Sequence, residues 1–168
     1  SSGTCTLTAT KTSSIESGTS NSFSVLASAS SFNAFETATT PNPGAVTGYI
    51  FTKIAGTTFG LDVVAIAGGT QATGFSGNVK VELLANTGTP GSGYGADNCP
   101  SANSVIQTIA SSAIAGGRST VSFSAVANVY RDVRVRISYP TSSPTVITCS
   151  TDSFAMRPAQ LTFAVSDG

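Results

Sequence analysis

The stretch YRDVRVRISY, Tyr130–Tyr139, decides the fold class. Val133, Val135 and Ile137 alternate with Asp132, Arg134 and Arg136. A period of two puts the aliphatic residues on one face and the charges on the other, the signature of a half-buried strand. A helix would scatter the same six residues around its circumference. Working outward, NVKVELLA (78–85) repeats the pattern, with Val79, Val81 and Leu83 set against Lys80, Glu82 and Leu84. FGLDVVAIA (Phe59–Ala67) puts Phe59, Leu61, Val63 and Ala65 on one side and Asp62 on the other. Further strand readings fall on CTLTATK (5–11), SFSVLASA (22–29), VTGYIFTKI (46–54), SVIQTIA (104–110), RSTVSFSAV (118–126), TVITC (145–149) and SFAM (153–156).

Between them lie breakers. Residues 33–45 read as an irregular connection around Pro41 and Pro43, and residues 68–77 as a turn-rich link. Residues 86–103 form a glycine-rich loop of a length uncommon in compact domains. Helical readings are confined to short turns at 110–115 or 125–129. About seven short strands between residues 46 and 156, separated by turn signals, predict an all-β fold. The architecture expected is an antiparallel immunoglobulin-like β-sandwich with extra N-terminal strands. An antibody-type domain is excluded, because the chain has no tryptophan for the Cys–Trp–Cys pattern.

The domain reading follows. Residues 1–45 are N-terminal strands and connection, able to join the same sandwich. Residues 46–157 are the sandwich module. Residues 158–168 complete the sheet or begin a following module. Within the sandwich, 78–85 and Tyr130–Tyr139 are expected side by side. Lys80 and Glu82 then share a solvated outer face with Asp132, Arg134 and Arg136, each direct opposite-charge pair contributing about 0.2–1 kcal/mol.

Composition narrows the function classes. Charged residues make up 10% of the chain and the formal net charge is +0. Basic patches for nucleic acid are therefore missing, and so are acidic blocks. Ser and Thr fill about 30% of positions, far above ordinary usage, and threonine suits a pleated, half-exposed face. No apolar run approaches the ~20 residues that span a bilayer, so membrane insertion is not expected. If the protein is exported, its signal lies outside residues 1–168.

Catalytic chemistry finds little support. The chain has no histidine, which removes the commonest general base and the commonest zinc ligand. Lys11, Lys53 and Lys80 sit in no S-x-x-K. The glycine-rich stretches lack the phosphate-loop pattern. Asp97, Asn98 and Asn103 offer hard oxygens to calcium, but without a D-x-D-x-D series. The expectation is no enzyme, no cofactor and no metal.

The three cysteines, Cys5, Cys99 and Cys149, form no C-x-x-C. In an oxidising compartment they read as one disulfide and one leftover thiol. Cys99–Cys149 is favoured, with Cys5–Cys149 as the alternative. The first closes a loop of about 50 residues and contributes about 3–4 kcal/mol by chain entropy. Cys5 is then a candidate interchain or upstream-pairing thiol. Tyr94, Asp97 and Asn98 mark a candidate binding loop, since loops carry most recognition. Leu161, Phe163 and Val165 alternate after Pro158 and are a candidate strand-exchange segment.

Four stretches carry a resemblance: TGYIFTKIAGTTFGLDVVAI, GNVKVELLAN, YRDVRVRISYP and TCSTDSFAMRP. Together they resemble a β-module of large bacterial surface proteins related to MSHA-type pilus biogenesis protein Q. The specific part is a C-x-x-D-x-F-A-x-R-P run, here Cys149, Asp152, Phe154, Ala155, Arg157 and Pro158. The resemblance covers roughly residues 33–163 and implies a piece of a longer exported protein, located outside the cell or on its surface. It implies that this run closes one β-module and leads into the next. Partners would be other modules of the same protein, pilus components, or a cell-surface or host ligand. It supplies no catalytic residues. The expected function is a structural or adhesive module. The alternatives are a self-assembling filament subunit joined by strand exchange, and a carbohydrate-binding domain. The last is disfavoured because most phenylalanines fall on inward positions.

Overall fold

A computed structural model describes residues 3–13, 16–25, 28–36 and 44–160. Among these residues the structure is all-β. At the N-terminus, β1 (Gly3–Cys5) pairs with β4 (Phe23–Val25), and β2 (Thr8–Thr10) pairs with β3 (Ser17–Thr19). Neither pair joins a larger sheet.

The first larger sheet holds β5 (Ser31–Phe35), β7 (Phe59–Ala67), β8 (Thr70–Gln71) and β11 (Arg118–Phe123), with β7 at its centre. The second runs β10–β9–β12–β14–β6, and β13 also pairs with β12. Its members are β6 (Lys53–Ile54), β9 (Gly77–Asn86), β10 (Asn103–Ile114), β12 (Tyr130–Tyr139), β13 (Val146–Cys149) and β14 (Phe154–Arg157). The two sheets enclose one hydrophobic core. Leu61, Val63 and Ala65 from β7 meet Val79, Val81 and Leu83 from β9 and Val133, Val135 and Ile137 from β12 there. These are the alternating positions of the three clearest strand readings.

The expected neighbours do pair. β9 and β12 are antiparallel, with Arg136 opposite Glu82 and Val135 opposite Leu83. Arg136 Nη2 lies 2.8 Å from Glu82 Oε2, and Lys80 Nζ lies 3.3 Å from the same oxygen.

Several expectations are corrected. Residues 33–45 do not begin as an irregular connection, because β5 runs through Ser31–Phe35 and is buried along most of its length. Asn33 hides the strand signal, yet its buried amide is satisfied by Val46 O, Thr151 Oγ1 and the Thr151 and Ala34 amides. The core therefore starts before residue 46. The strand expected over 46–54 shrinks to Lys53–Ile54. The Ile50 amide leaves the ladder to donate to Asp152 Oδ2 at 2.8 Å. β6 runs parallel to β14, so the larger sheet is mixed rather than wholly antiparallel. β10 extends to Ile114, through the stretch read as a turn, and carries two register shifts.

At the β10–β11 turn, Gly117 has φ +77°, and a Cβ there would sit 2.3 Å from Ala72 O. Only glycine tolerates both the left-handed backbone and that approach. Leu161, Phe163 and Val165, where a continuing strand is expected, lie outside the described residues.

Candidate functional site

The outer face of β9 and β12 is only in part the solvated charged surface expected: Lys80 and Arg136 stay half-buried. Glu82 is 5% exposed, Asp132 4% and Arg134 7%. Residues 87–102 fold back over the face as a roof. The roof is ordered by its own backbone. Thr87 N donates to Ala102 O, Gly95 N to Cys99 O, and Ser101 N to Gly93 O. Asn98 adopts φ +62°, a conformation asparagine accepts more readily than most residues.

Three ties hold roof to sheet. The first is covalent: Cys99 of the loop is bonded to Cys149 of β13. The disulfide covers Leu84, and the three residues form a small apolar cluster outside the main core. This explains Leu84, the apolar residue that broke the charged side of the β9 alternation. The second tie is a backbone bond from Cys149 N to Asp97 O at 2.8 Å.

The third tie is Asp132. Its Oδ2 accepts from Tyr94 Oη at 2.6 Å, Gly91 N at 2.8 Å and Asn86 Nδ2 at 2.9 Å. The Tyr94 ring lies under the Arg134 guanidinium, 3.7 Å from its centroid, a cation–π stack. Arg134 Nη1 donates to Ser150 O at 2.6 Å.

Two carboxyls respond to this setting. Burial by itself would raise the pKa of Asp132. The Tyr94, Gly91 and Asn86 donors outweigh it, with the Ser153 hydroxyl nearby, and hold the group below the usual carboxylate value. Burial also pushes Glu82 up, but Arg136 and then Lys80 overcome it and leave the pKa lowered.

The positions read as a binding loop therefore have structural tasks. Tyr94 turns inward onto Asp132 and Arg134. Asp97 gives its carbonyl to Cys149, and its Oδ1 accepts from the Cys99 amide at 3.0 Å. Asn103 Nδ2 donates to Pro100 O. Among the described residues, no group of His, Cys, Asp and Glu is arranged to hold a metal. Cys5 is exposed and unbonded.

The C-x-x-D-x-F-A-x-R-P run is a junction. Cys149 binds the roof, Thr151 binds Asn33 of β5, Asp152 binds the Ile50 amide, Phe154 and Met156 fill the core, and Arg157 pairs with Ile54. The neighbouring Thr148 hydroxyl accepts from Phe32 N and donates to Phe32 O, joining β13 to β5 across the two sheets.

Sequence reasoning missed a second polar cluster on the other sheet. Arg118 reaches Asp62, Gln71 and the Ala45 carbonyl, and it stacks on Phe35 at 5.2 Å. Nothing local in the sequence joins residues so far apart; Asp62 alone, as a charge inside an apolar run, was a usable signal. The chain matches no family, no curated protein and no solved structure in comparison with those known.

Proposed function

We propose that this chain is a non-catalytic structural and adhesive module of an exported bacterial surface or pilus-associated protein, with the immunoglobulin-like form of the sandwich. The carrying observation is the Cys99–Cys149 bond, which fastens a long loop over a sheet face. Such a bond persists in oxidising surroundings. The engagement of Asp132, Glu82 and Asp62 by structural partners supports a scaffold rather than a reactive site. Partners would be neighbouring modules, pilus components or a cell-surface ligand.

Light scattering and negative-stain microscopy of the isolated chain, with and without reductant, test this. A monomer in both conditions is expected. Filaments that survive reductant would overturn the reading in favour of strand exchange through Leu161, Phe163 and Val165. A dimer dissolved by reductant would make Cys5 an interchain thiol.

One observation favours carbohydrate binding as a second reading. Tyr49 and Phe51 are 70% and 58% exposed on either side of buried Ile50, so not every aromatic is consumed by the core. A glycan array probed with the wild type and Phe51→Ala would decide it. Signal lost in the variant supports a sugar platform; no signal from either removes it.

A further inference from the structure

The disulfide lies deep for a bond to a loop. Cys149 is fully buried and Cys99 is 9% exposed, and Leu84, itself fully buried, packs against both. Cys99 belongs to a small hairpin within the roof. Tyr94 pairs with Pro100 in antiparallel register, Gly95 N donates to Cys99 O at 2.9 Å, and Ser101 N donates to Gly93 O at 2.7 Å. One side of that hairpin carries Cys99. The other carries Tyr94, whose hydroxyl donates to Asp132 Oδ2 at 2.6 Å. Lifting the hairpin far enough to bare the sulfurs therefore takes Tyr94 off Asp132, and Asp97 O off Cys149 N.

We propose that the Tyr94–Asp132 contact gates the redox chemistry of the disulfide, so that an external thiol reduces Cys99–Cys149 only after local opening of residues 87–102. Reduction begins when a thiolate attacks one sulfur and expels the other as a thiolate. With the roof shut, Cys149 is enclosed and little of Cys99 is exposed. The expelled thiolate would also be left in a desolvated site beside Leu84, where charge is disfavoured. Lifting the roof removes both obstacles. A dithiol then attacks Cys99 Sγ, the S–S bond breaks, and the Cys149 thiolate takes up a proton. The reagent's second thiolate attacks its own bonded sulfur, releases Cys99 to be protonated in turn, and leaves as a cyclic disulfide. Two electrons pass from reagent to protein. The roof thus guards the bond that fastens it. Shut, it keeps the module oxidised in thiol-containing surroundings; after reduction it is held to the sheet by hydrogen bonds and packing alone.

The test is the rate at which excess dithiothreitol reduces the folded chain, read by alkylation and intact mass after the exposed Cys5 has been blocked. Tyr94→Phe keeps the ring on Arg134 and loses the hydroxyl, and its disulfide is expected to be reduced about 10–30 times faster. Thr120→Val removes a comparable bond, to Asp62 on the smaller sheet, and is expected to leave the rate unchanged. Equal acceleration in both variants would show that reduction waits on global unfolding. An unchanged rate in Tyr94→Phe would show attack through the shut roof. Either result overturns the proposal. Urea supplies a check that needs no variant: wild-type reduction should quicken with denaturant far less steeply than global unfolding does, because opening the roof exposes little surface. A slope equal to that of global unfolding would overturn the gate as well.

Discussion

Each larger sheet carries a buried carboxylate and an arginine on its outer side, and the two clusters are built differently. Around Asp62, the partners come mainly from the register. Thr120 lies directly opposite on β11 and donates to Oδ1 at 2.7 Å. Arg118, two residues earlier, uses its Nε and both terminal nitrogens on Gln71, Asp62 and Ala45. Around Asp132, two of the three donors come from a loop, Gly91 and Tyr94. Ordering a loop costs about 1–2 kcal/mol per residue in backbone entropy, and a few hydrogen bonds of net ~1 kcal/mol do not offset that. The disulfide adds about 3–4 kcal/mol to them by constraining the unfolded chain. A cluster assembled by strand register stands without a covalent tie; one assembled by a loop is fastened.

The largest test of this contrast is Cys99→Ser with Cys149→Ser. Urea unfolding is expected to show a loss of about 3–4 kcal/mol. Amide exchange should quicken first across residues 87–102, with β7 and β11 protected as before. Uniform acceleration in both sheets would break the comparison.

Next is the pair Asp132→Ala and Asp62→Ala. The first strands three donors under the roof and should cost about 3 kcal/mol. The second should cost about 1–2 kcal/mol, because Arg118 keeps two other acceptors. Equal costs in urea melts would show that the roof adds nothing to the Asp132 cluster.

Tyr94→Phe keeps the ring on Arg134 and removes one hydrogen bond to a charged acceptor. A loss of about 1.5–2 kcal/mol is expected, confined to local opening of residues 87–102. A loss as large as that of Asp132→Ala would mean that the hydroxyl alone holds the loop.

The smallest effect is a slope with pH. Asp132 and Glu82 have folded pKa values below their unfolded ones, near 4. Their contribution is complete above that value and is lost as pH falls through it toward the folded pKa values. Melting temperature should therefore drop as pH falls below about 4. Asp132→Asn should flatten part of that drop, and an unchanged slope would place the titration elsewhere.

Much of this was legible in the chain. A period of two in Phe59–Ala67, 78–85 and Tyr130–Tyr139 is a local steric property of the pleat, so it announced the strands, their inward faces and the β9–β12 neighbours. Three cysteines without C-x-x-C and a long loop named the disulfide's candidates, with Cys99–Cys149 preferred. β5 was hidden because buried Asn33 is tolerable only with acceptors and donors from Val46 and Thr151, which no local pattern displays. The parallel β6–β14 pair was hidden because about a hundred residues separate its members. That Asp132 and Arg134 lie under a roof rather than in water was decided by the tertiary structure alone. Alternation tells a residue which face it takes, but burial depends on what later folds over that face.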